Sequence, residues 1–250
     1  MHIRVDQADA IWSLHCDRGS SVSDLADLDY KLQELAGEIA SSELMPRAIF
    51  LRCRGPEFMV PAPTSPAELD AGYAVGARIL ETLGSVAVPT VAVLEGPAIG
   101  PAWSLALACD LRVGVAGARV GSTELSLGRL PYPGTVQLLT RIVGTGRCME
   151  MLLLSKVLNT SNALRAGLLH RTFQRAATDA ALRELAGALA SAGPVALSYA
   201  KEAVWGGSDL PLRDGARLEA SLYALLQTTA DRGEGIRSFA ERRPPLFVGQ

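Results

Sequence analysis

The pattern of apolar and polar positions is most regular near the middle of the chain. Residues Thr90–Leu94 form a largely apolar, β-branched run bounded by Gly96 and Pro97, which predicts a strand buried on both faces. Residues 102–108 are apolar almost throughout and follow a Gly-Pro pair, which predicts a short buried helix. Another run over residues 110–115 predicts a second strand. The pattern therefore predicts a strand–helix–strand unit at the centre of the fold.

The N-terminal quarter shows shorter patterns of the same kinds. Two short apolar runs predict a hairpin whose turn lies at Asp6-Gln7, and Ser23 is expected to cap the following helix. The predicted elements are strands over residues 3–6, 10–16 and 48–53 and helices over residues 24–39 and 67–83.

Beyond residue 133 the pattern becomes helical with few interruptions. Alternation of strands and helices before that point predicts an α/β fold with a parallel sheet. We expect residues 1–190 to form the core and residues 191–250 a helical C-terminal region. The predicted elements are helices over residues 134–143, 147–154, 162–167, 179–191, 194–205, 212–232 and 233–241 and a strand over residues 169–173.

The amino-acid composition limits the classes of protein to which this chain can belong. With 48% hydrophobic residues, 20% charged residues and a formal net charge of −2, the chain is globular and gives no reason to expect nucleic acid or a membrane surface as a partner. The four cysteines lie far apart, which suits buried thiols in a cytoplasmic protein. No spacing of side chains predicts a metal site, and no motif predicts a separate cofactor.

Glu124 is the best candidate for chemistry. It follows the second central strand on a glycine-spaced loop between apolar segments. A carboxylate taken out of water in this way is suited to acid–base work, and a nearby buried helix N-terminus can stabilise an oxyanion. A solvated loop glutamate is the alternative interpretation.

Four segments together resemble the crotonase (enoyl-CoA hydratase/isomerase) superfamily. They are AVLEGPAIGPAWSLALACDLRV, VGSTELSLGRLPYPGTVQLLTRIVG, MEMLLLSKVLNTSNALRAGLLHRTF and DRGEGIRSFAERRPPLF. The resemblance implies a spiral of β-β-α units, followed by a helical region that forms a homotrimer or a hexamer. It also implies an acyl thioester substrate, with coenzyme A or phosphopantetheine as part of that substrate.

The resemblance assigns roles at the predicted helix. Glu124 matches the glutamate that exchanges a proton at the carbon next to the thioester carbonyl. The two backbone donors that hold the thioester oxygen match Ala62 and Pro101. Proline has no N–H, so Gly100 or Ala102 would have to donate in its place.

Ser104 matches the position of a second glutamate that positions water in hydratases of the family. A serine hydroxyl does not take a proton from water near neutral pH, so efficient hydration is not expected. Members with a single glutamate include double-bond isomerases. A polyketide-associated group that dehydrates a carrier-bound hydroxyacyl chain also has a small residue at this site. A small residue filling a tight helix contact is the other interpretation of Ser104.

Other residues are assigned to binding. Trp103 either narrows the acyl pocket or packs in the core, and Tyr132, Phe58 and Met59 are expected to border the pocket. By resemblance, the C-terminal Phe239 and Lys201 contact coenzyme A, although a solvated charged end explains them equally well.

The residues and the family resemblance together support two alternative functions. The first is an isomerase or lyase that acts on an acyl thioester of coenzyme A or an acyl carrier protein, with polyketide or other secondary metabolism as a candidate setting. The second is a catalytically weakened accessory subunit of a biosynthetic complex, which Pro101 and Ser104 favour.

Overall fold

A computed structural model of the chain describes residues 2–8, 11–17, 22–41, 46–54 and 65–250. Its larger sheet has the strand order β1-β2-β3-β4-β6-β9, and a smaller sheet has the order β5-β7-β8. The strands are β1 His2–Ala8, β2 Ile11–Asp17, β3 Ala48–Arg54, β4 Thr90–Leu94, β5 Ala98–Ile99, β6 Leu111–Val115, β7 Arg119–Gly121, β8 Val157–Asn159 and β9 Arg171–Phe173.

Helices cover both faces of the larger sheet, whose strands are parallel except for the β1–β2 pair. The helices are α1 Val22–Ser41, α2 Pro66–Ser85, α3 Pro101–Ala108, α4 Thr135–Val143, α5 Thr145–Leu153, α6 Thr160–Arg165, α7 Thr178–Ala190, α8 Pro194–Gly207, α9 Leu212–Leu226 and α10 Ala230–Glu241.

Two apolar clusters lie on opposite faces of the sheet. The larger cluster joins α1, α2 and α3 to the sheet, while Leu182 and Leu185 of α7 pack with Val91 and Val93 on the other face. Because successive strand side chains point to opposite faces, β4 needs apolar side chains on both faces, and four of its five residues are apolar. All five of its residues are buried, which confirms the strand predicted at Thr90–Leu94.

Several predicted boundaries are wrong. Asp6 and Gln7 lie inside β1, where they pair with Ser13 and Trp12, so they are not the turn of the hairpin. Ser23 lies within α1 and is not its N-cap. The helix predicted over residues 212–232 ends at Leu226, because the Thr229 hydroxyl accepts the Arg232 N–H and begins α10.

The smaller sheet was not predicted from the sequence. Its strands are two or three residues long, too short for alternation to be recognised. No helix in the ranges that the structure describes is both long and apolar enough to cross a membrane. The proposed division at residue 190, between α7 and α8, stays a prediction.

An ion pair between the buried Lys201 and the half-buried Asp110 fixes α8 to the core. The Lys201 ammonium lies 2.9 Å from Asp110 Oδ2 and donates to the carbonyls of Leu83 and Val88. Asp110 also accepts hydrogen bonds from the Thr90 amide and hydroxyl and from Trp205 Nε1. Removing one partner of such a pair leaves a charge without compensation.

We expect Asp110→Ala to lower the free energy of unfolding by about 3–5 kcal/mol, because it leaves the Lys201 charge uncompensated. The control is Asp209→Ala, which removes an exposed ion pair with Arg141 and should cost about 1 kcal/mol or less. Chemical denaturation of both variants measures the difference. Equal losses in the free energy of unfolding would show that the Asp110 network stabilises the fold no more than a surface ion pair does.

Candidate active site

Pairing of the two shortest strands brings the site together. β5 and β7 are parallel, with Ile99 opposite Gly121, so the residues that follow them leave the sheet at the same edge. Gly100 follows β5, and its N–H donates to Gly121 O at 3.1 Å. Ser122 follows β7 and leads into a single 3-10 turn, Glu124–Leu127. The start of α3 and Glu124 are therefore neighbours, although more than 20 residues separate them.

The Glu124 side chain is buried, with 5% of its surface exposed. The Ser122 hydroxyl donates to Glu124 Oε2 in a short hydrogen bond. Oε1 has no hydrogen-bond partner among the described residues. A buried carboxylate oxygen without a donor is costly, so its presence marks a position where a proton or a ligand group is expected. The solvated-loop interpretation of Glu124 does not agree with this burial.

The free oxygen of Glu124, Oε1, lies next to Gly100. A Cβ placed on Gly100 would come within 3.1 Å of Glu124 Oε1, and the backbone φ of +63° disfavours any residue with a side chain. Glycine therefore allows the carboxylate to approach the backbone at the first turn of α3.

In the first turn of α3, few backbone N–H groups are free to donate a hydrogen bond to a ligand. The Gly100 N–H is used by Gly121 O, Pro101 has none, and the Ser104 N–H already bonds to Gly100 O. The intervening amides of Ala102 and Trp103 belong to the first turn, where N–H groups lack a partner within the helix. Of the two substitutes for Pro101 considered from the sequence, Gly100 is engaged and Ala102 remains.

Ser104 joins α3 to α4. Its hydroxyl donates to Gly100 O at 3.2 Å and shares a 2.5 Å hydrogen bond with the Thr135 hydroxyl, in which either oxygen can be the donor. The structure thus shows the helix contact that was one interpretation of Ser104. Thr135, the first residue of α4, was not singled out from the sequence.

Tyr132 lies against the same part of α3. Its side chain is buried, and its hydroxyl has no hydrogen-bond partner in the part of the chain that the structure describes. Burial raises the pKa of Tyr132; the positive charge of Arg129 opposes this effect and the negative charge of Glu124 adds to it. The phenol therefore keeps its proton at neutral pH and acts as a hydrogen-bond donor.

The remaining predicted residues are spread over the molecule. Trp103 is fully buried in the larger core cluster, and its Nε1 has no partner among the described residues. Phe239 is 87% exposed on α10. The Lys201 ammonium is occupied inside the fold by three acceptors, so its placement gives no support to a contact with coenzyme A. Ala62, Phe58 and Met59 lie outside the described residues.

Ser122 was not predicted from the sequence to hold the Glu124 carboxylate. The signal was available, because a hydroxyl two residues before a loop glutamate and directly after a strand can reach its carboxylate. No group of three or more histidine, cysteine, aspartate or glutamate side chains in the described ranges is arranged to hold a metal ion.

A larger groove, of about 850 Å³, lies at the other end of α3. Its wall includes Asp110, Lys201 and Trp205 together with apolar residues of α4 and α8. Neither Glu124 nor Ser104 lines it. The groove therefore does not contain Glu124, the residue to which the sequence assigns proton transfer.

The chain belongs to the enoyl-CoA hydratase/isomerase family of the crotonase superfamily. The family model described as Enoyl-CoA hydratase/isomerase matches residues 68–250. The structure superposes on an enoyl-CoA hydratase from Bacillus anthracis with a TM-score of 0.91 and 25% identity over 100% of both chains. These findings confirm the fold class, an α/β crotonase fold with a helical C-terminal region, and the family predicted from the sequence.

Two similar relatives are named as hydratases. The chain is 32% identical to human mitochondrial methylglutaconyl-CoA hydratase over 231 residues, which cover 88% of this chain and 68% of that protein. It is 36% identical to 2,3-dehydroadipyl-CoA hydratase from Escherichia coli over 162 residues, which cover 65% of this chain and 64% of that protein.

Gly100→Ala tests the close approach of Glu124. We expect turnover of an acyl thioester to fall by about tenfold to a hundredfold, because the new methyl group displaces the carboxylate. Gly37→Ala is the control, since a Cβ there meets nothing within 4 Å. Steady-state kinetics that show the same small effect for both variants would contradict the geometry.

Proposed function

We propose that this protein catalyses proton transfer at the carbon next to the carbonyl of an acyl thioester, with Glu124 as its single acid–base group. The observation that supports the proposal is the buried carboxylate with one engaged and one free oxygen at the start of α3. The acyl group is carried by coenzyme A or by the phosphopantetheine arm of an acyl carrier protein.

Each residue has a defined task in this proposal. Ser122 holds one carboxylate oxygen, so the other is directed at the substrate. Removing a proton from the α-carbon sends negative charge to the thioester oxygen. The amide of Ala102, together with the positive end of the α3 dipole, stabilises that charge, and the predicted donor Ala62 supplies a second N–H. Tyr132, with Phe58 and Met59, would shape the acyl pocket, whereas Trp103 is fully buried in the larger core cluster.

The proposed outcomes are migration of a double bond or loss of water from a hydroxyacyl group. Ser104 stands where a second acid–base residue would be needed to take a proton from water, and its hydroxyl is tied to Gly100 and Thr135. The relatives named above are hydratases, whose reaction is the reverse of water loss and proceeds through the same transition state. Loss of water therefore requires that Glu124 alone both removes and returns the proton. A setting in polyketide or other secondary metabolism belongs to the same proposal and rests on the small residue at position 104.

An accessory subunit is the second candidate function. Pro101 favours it, because the missing amide removes a donor whose loss costs roughly a hundredfold in rate.

A homotrimer or hexamer built through residues 191–250, in the cytoplasm, fits both candidates. Exposed apolar side chains on the last two helices, including Leu212, Tyr223 and Phe239, support such an assembly.

Glu124→Gln separates the two functions. The amide cannot accept the α-proton, so turnover of enoyl and 3-hydroxyacyl thioesters should fall by about a hundredfold or more. The matched control is Glu184→Gln, an exposed position on α7 that should behave as wild type. Both thioester carriers are assayed with each variant.

If the wild-type protein and the Glu124 variant are equally inert with every thioester on either carrier, the catalytic proposal is wrong. A stable partner protein whose activity changes on binding would then support the accessory role.

A further inference from the structure

A small cavity lies between α2, α3 and the loop that precedes α4. Its volume is about 20 Å³, and its wall includes Ile79, Leu80, Ser104, Leu105, Ala108 and Tyr132. A space of this size holds one water-sized group and excludes an alkyl chain. Its polar wall residues are Ser104 and Tyr132, whose hydroxyls differ in what they can still do.

The two hydroxyls differ in whether their proton is already used in a hydrogen bond. The Ser104 hydroxyl donates its one proton to Gly100 O, so the Thr135 hydroxyl donates to Ser104. The Ser104 oxygen can therefore only accept a further hydrogen bond. The Tyr132 hydroxyl has no partner among the residues that the structure describes, so its proton is available. Together they offer one donor and one acceptor, which is what an alcohol or a water molecule requires.

Tyr132 is held rigidly in this place. Pro131 and Pro133 flank it, and a Cβ on Gly76 of α2 would come within 3.1 Å of its ring. The ring is therefore packed directly on the α2 backbone. Its raised pKa keeps the phenol protonated, so Tyr132 is a donor and not a base.

We propose that Tyr132 is a catalytic residue that donates a hydrogen bond to an oxygen on carbon 3 of the acyl group, while Ser104 accepts from the same oxygen. This inference rests on the proposed function, and of its two outcomes it favours loss of water over migration of a double bond. A buried phenol left without an acceptor is costly, so a substrate that carries this oxygen is favoured over one that lacks it.

The reaction then balances without another reactant. Glu124 takes the proton from carbon 2, and the electron pair of that C–H bond forms the double bond to carbon 3. The C–O bond at carbon 3 breaks, and the oxygen leaves with its own hydrogen and the proton returned by Glu124, as water. Tyr132 stabilises negative charge on the departing oxygen and keeps its own proton.

The experiment separates loss of water from proton removal. Loss of water is followed as conversion of 3-hydroxybutyryl thioester to the enoyl thioester. Proton removal alone is followed as uptake of deuterium at carbon 2 of butyryl thioester, which has no oxygen on carbon 3. Both probes are offered on coenzyme A and on phosphopantetheine.

For Tyr132→Phe we expect loss of water to slow about tenfold to a hundredfold, while deuterium uptake changes less than about twofold. Ser104→Ala should reduce loss of water in the same selective way. Tyr30→Phe, at an exposed position on α1, is the control and should change neither rate.

Deuterium uptake with unchanged loss of water in Tyr132→Phe would overturn this inference and leave the proposed function intact. Equal slowing of both rates in Tyr132→Phe would also overturn it, since it indicates a structural role. If Tyr132→Phe does not fold, the Ser104→Ala result decides in its place. A wild-type protein that shows no deuterium uptake contradicts the proposed function itself.

Discussion

The site depends on the pairing of β5 with β7, two strands of two and three residues. Because the strands are parallel, their carboxyl ends meet, and the pairing of Gly100 with Gly121 fixes how the two following segments are placed. Gly121 is itself constrained, since a Cβ there would lie 2.6 Å from Lys156 O of the segment that leads into β8. A small sheet of short strands thus sets the position of the buried carboxylate.

Helix α3 is short and buried, so its two ends need compensation that water cannot give. At its C-terminal end the buried Arg112 guanidinium donates to the carbonyls of Leu107 and Cys109. At its N-terminal end the free oxygen of Glu124 lies beside Gly100. Positive charge at the C-terminus and negative charge at the N-terminus both complement the helix dipole. The same arrangement that stabilises the helix provides a place where charge can move during a reaction.

The sequence predicted the central part of this arrangement well. β4 and α3 were recognised because each is a continuous apolar segment bounded by Gly or Pro, and Glu124 was recognised because it interrupts such segments. β5, β7 and β8 were not, since pairing over two or three residues comes from tertiary contacts. A helix contact was one of two interpretations of Ser104, but its partner Thr135 lies 31 residues away and could not be inferred from spacing.

Lys201 shows a different limit. The family resemblance matched it to the C-terminal region that contacts coenzyme A, and that assignment stays a prediction. Its burial against Asp110 and the carbonyls of Leu83 and Val88 results from the packing of α8 on the core, which no local pattern reveals. The end of α9, in contrast, was signalled by Thr229, a residue type that commonly caps a helix.

The most direct measurement is a crystal structure of the protein with an unreactive acyl-thioester analogue. The account predicts that the α-carbon of the analogue lies about 3–3.5 Å from Glu124 Oε1 and that its carbonyl oxygen accepts from the Ala102 amide. An analogue bound in the groove lined by Asp110 and Lys201, with the Glu124 carboxylate turned away from it, would contradict the account.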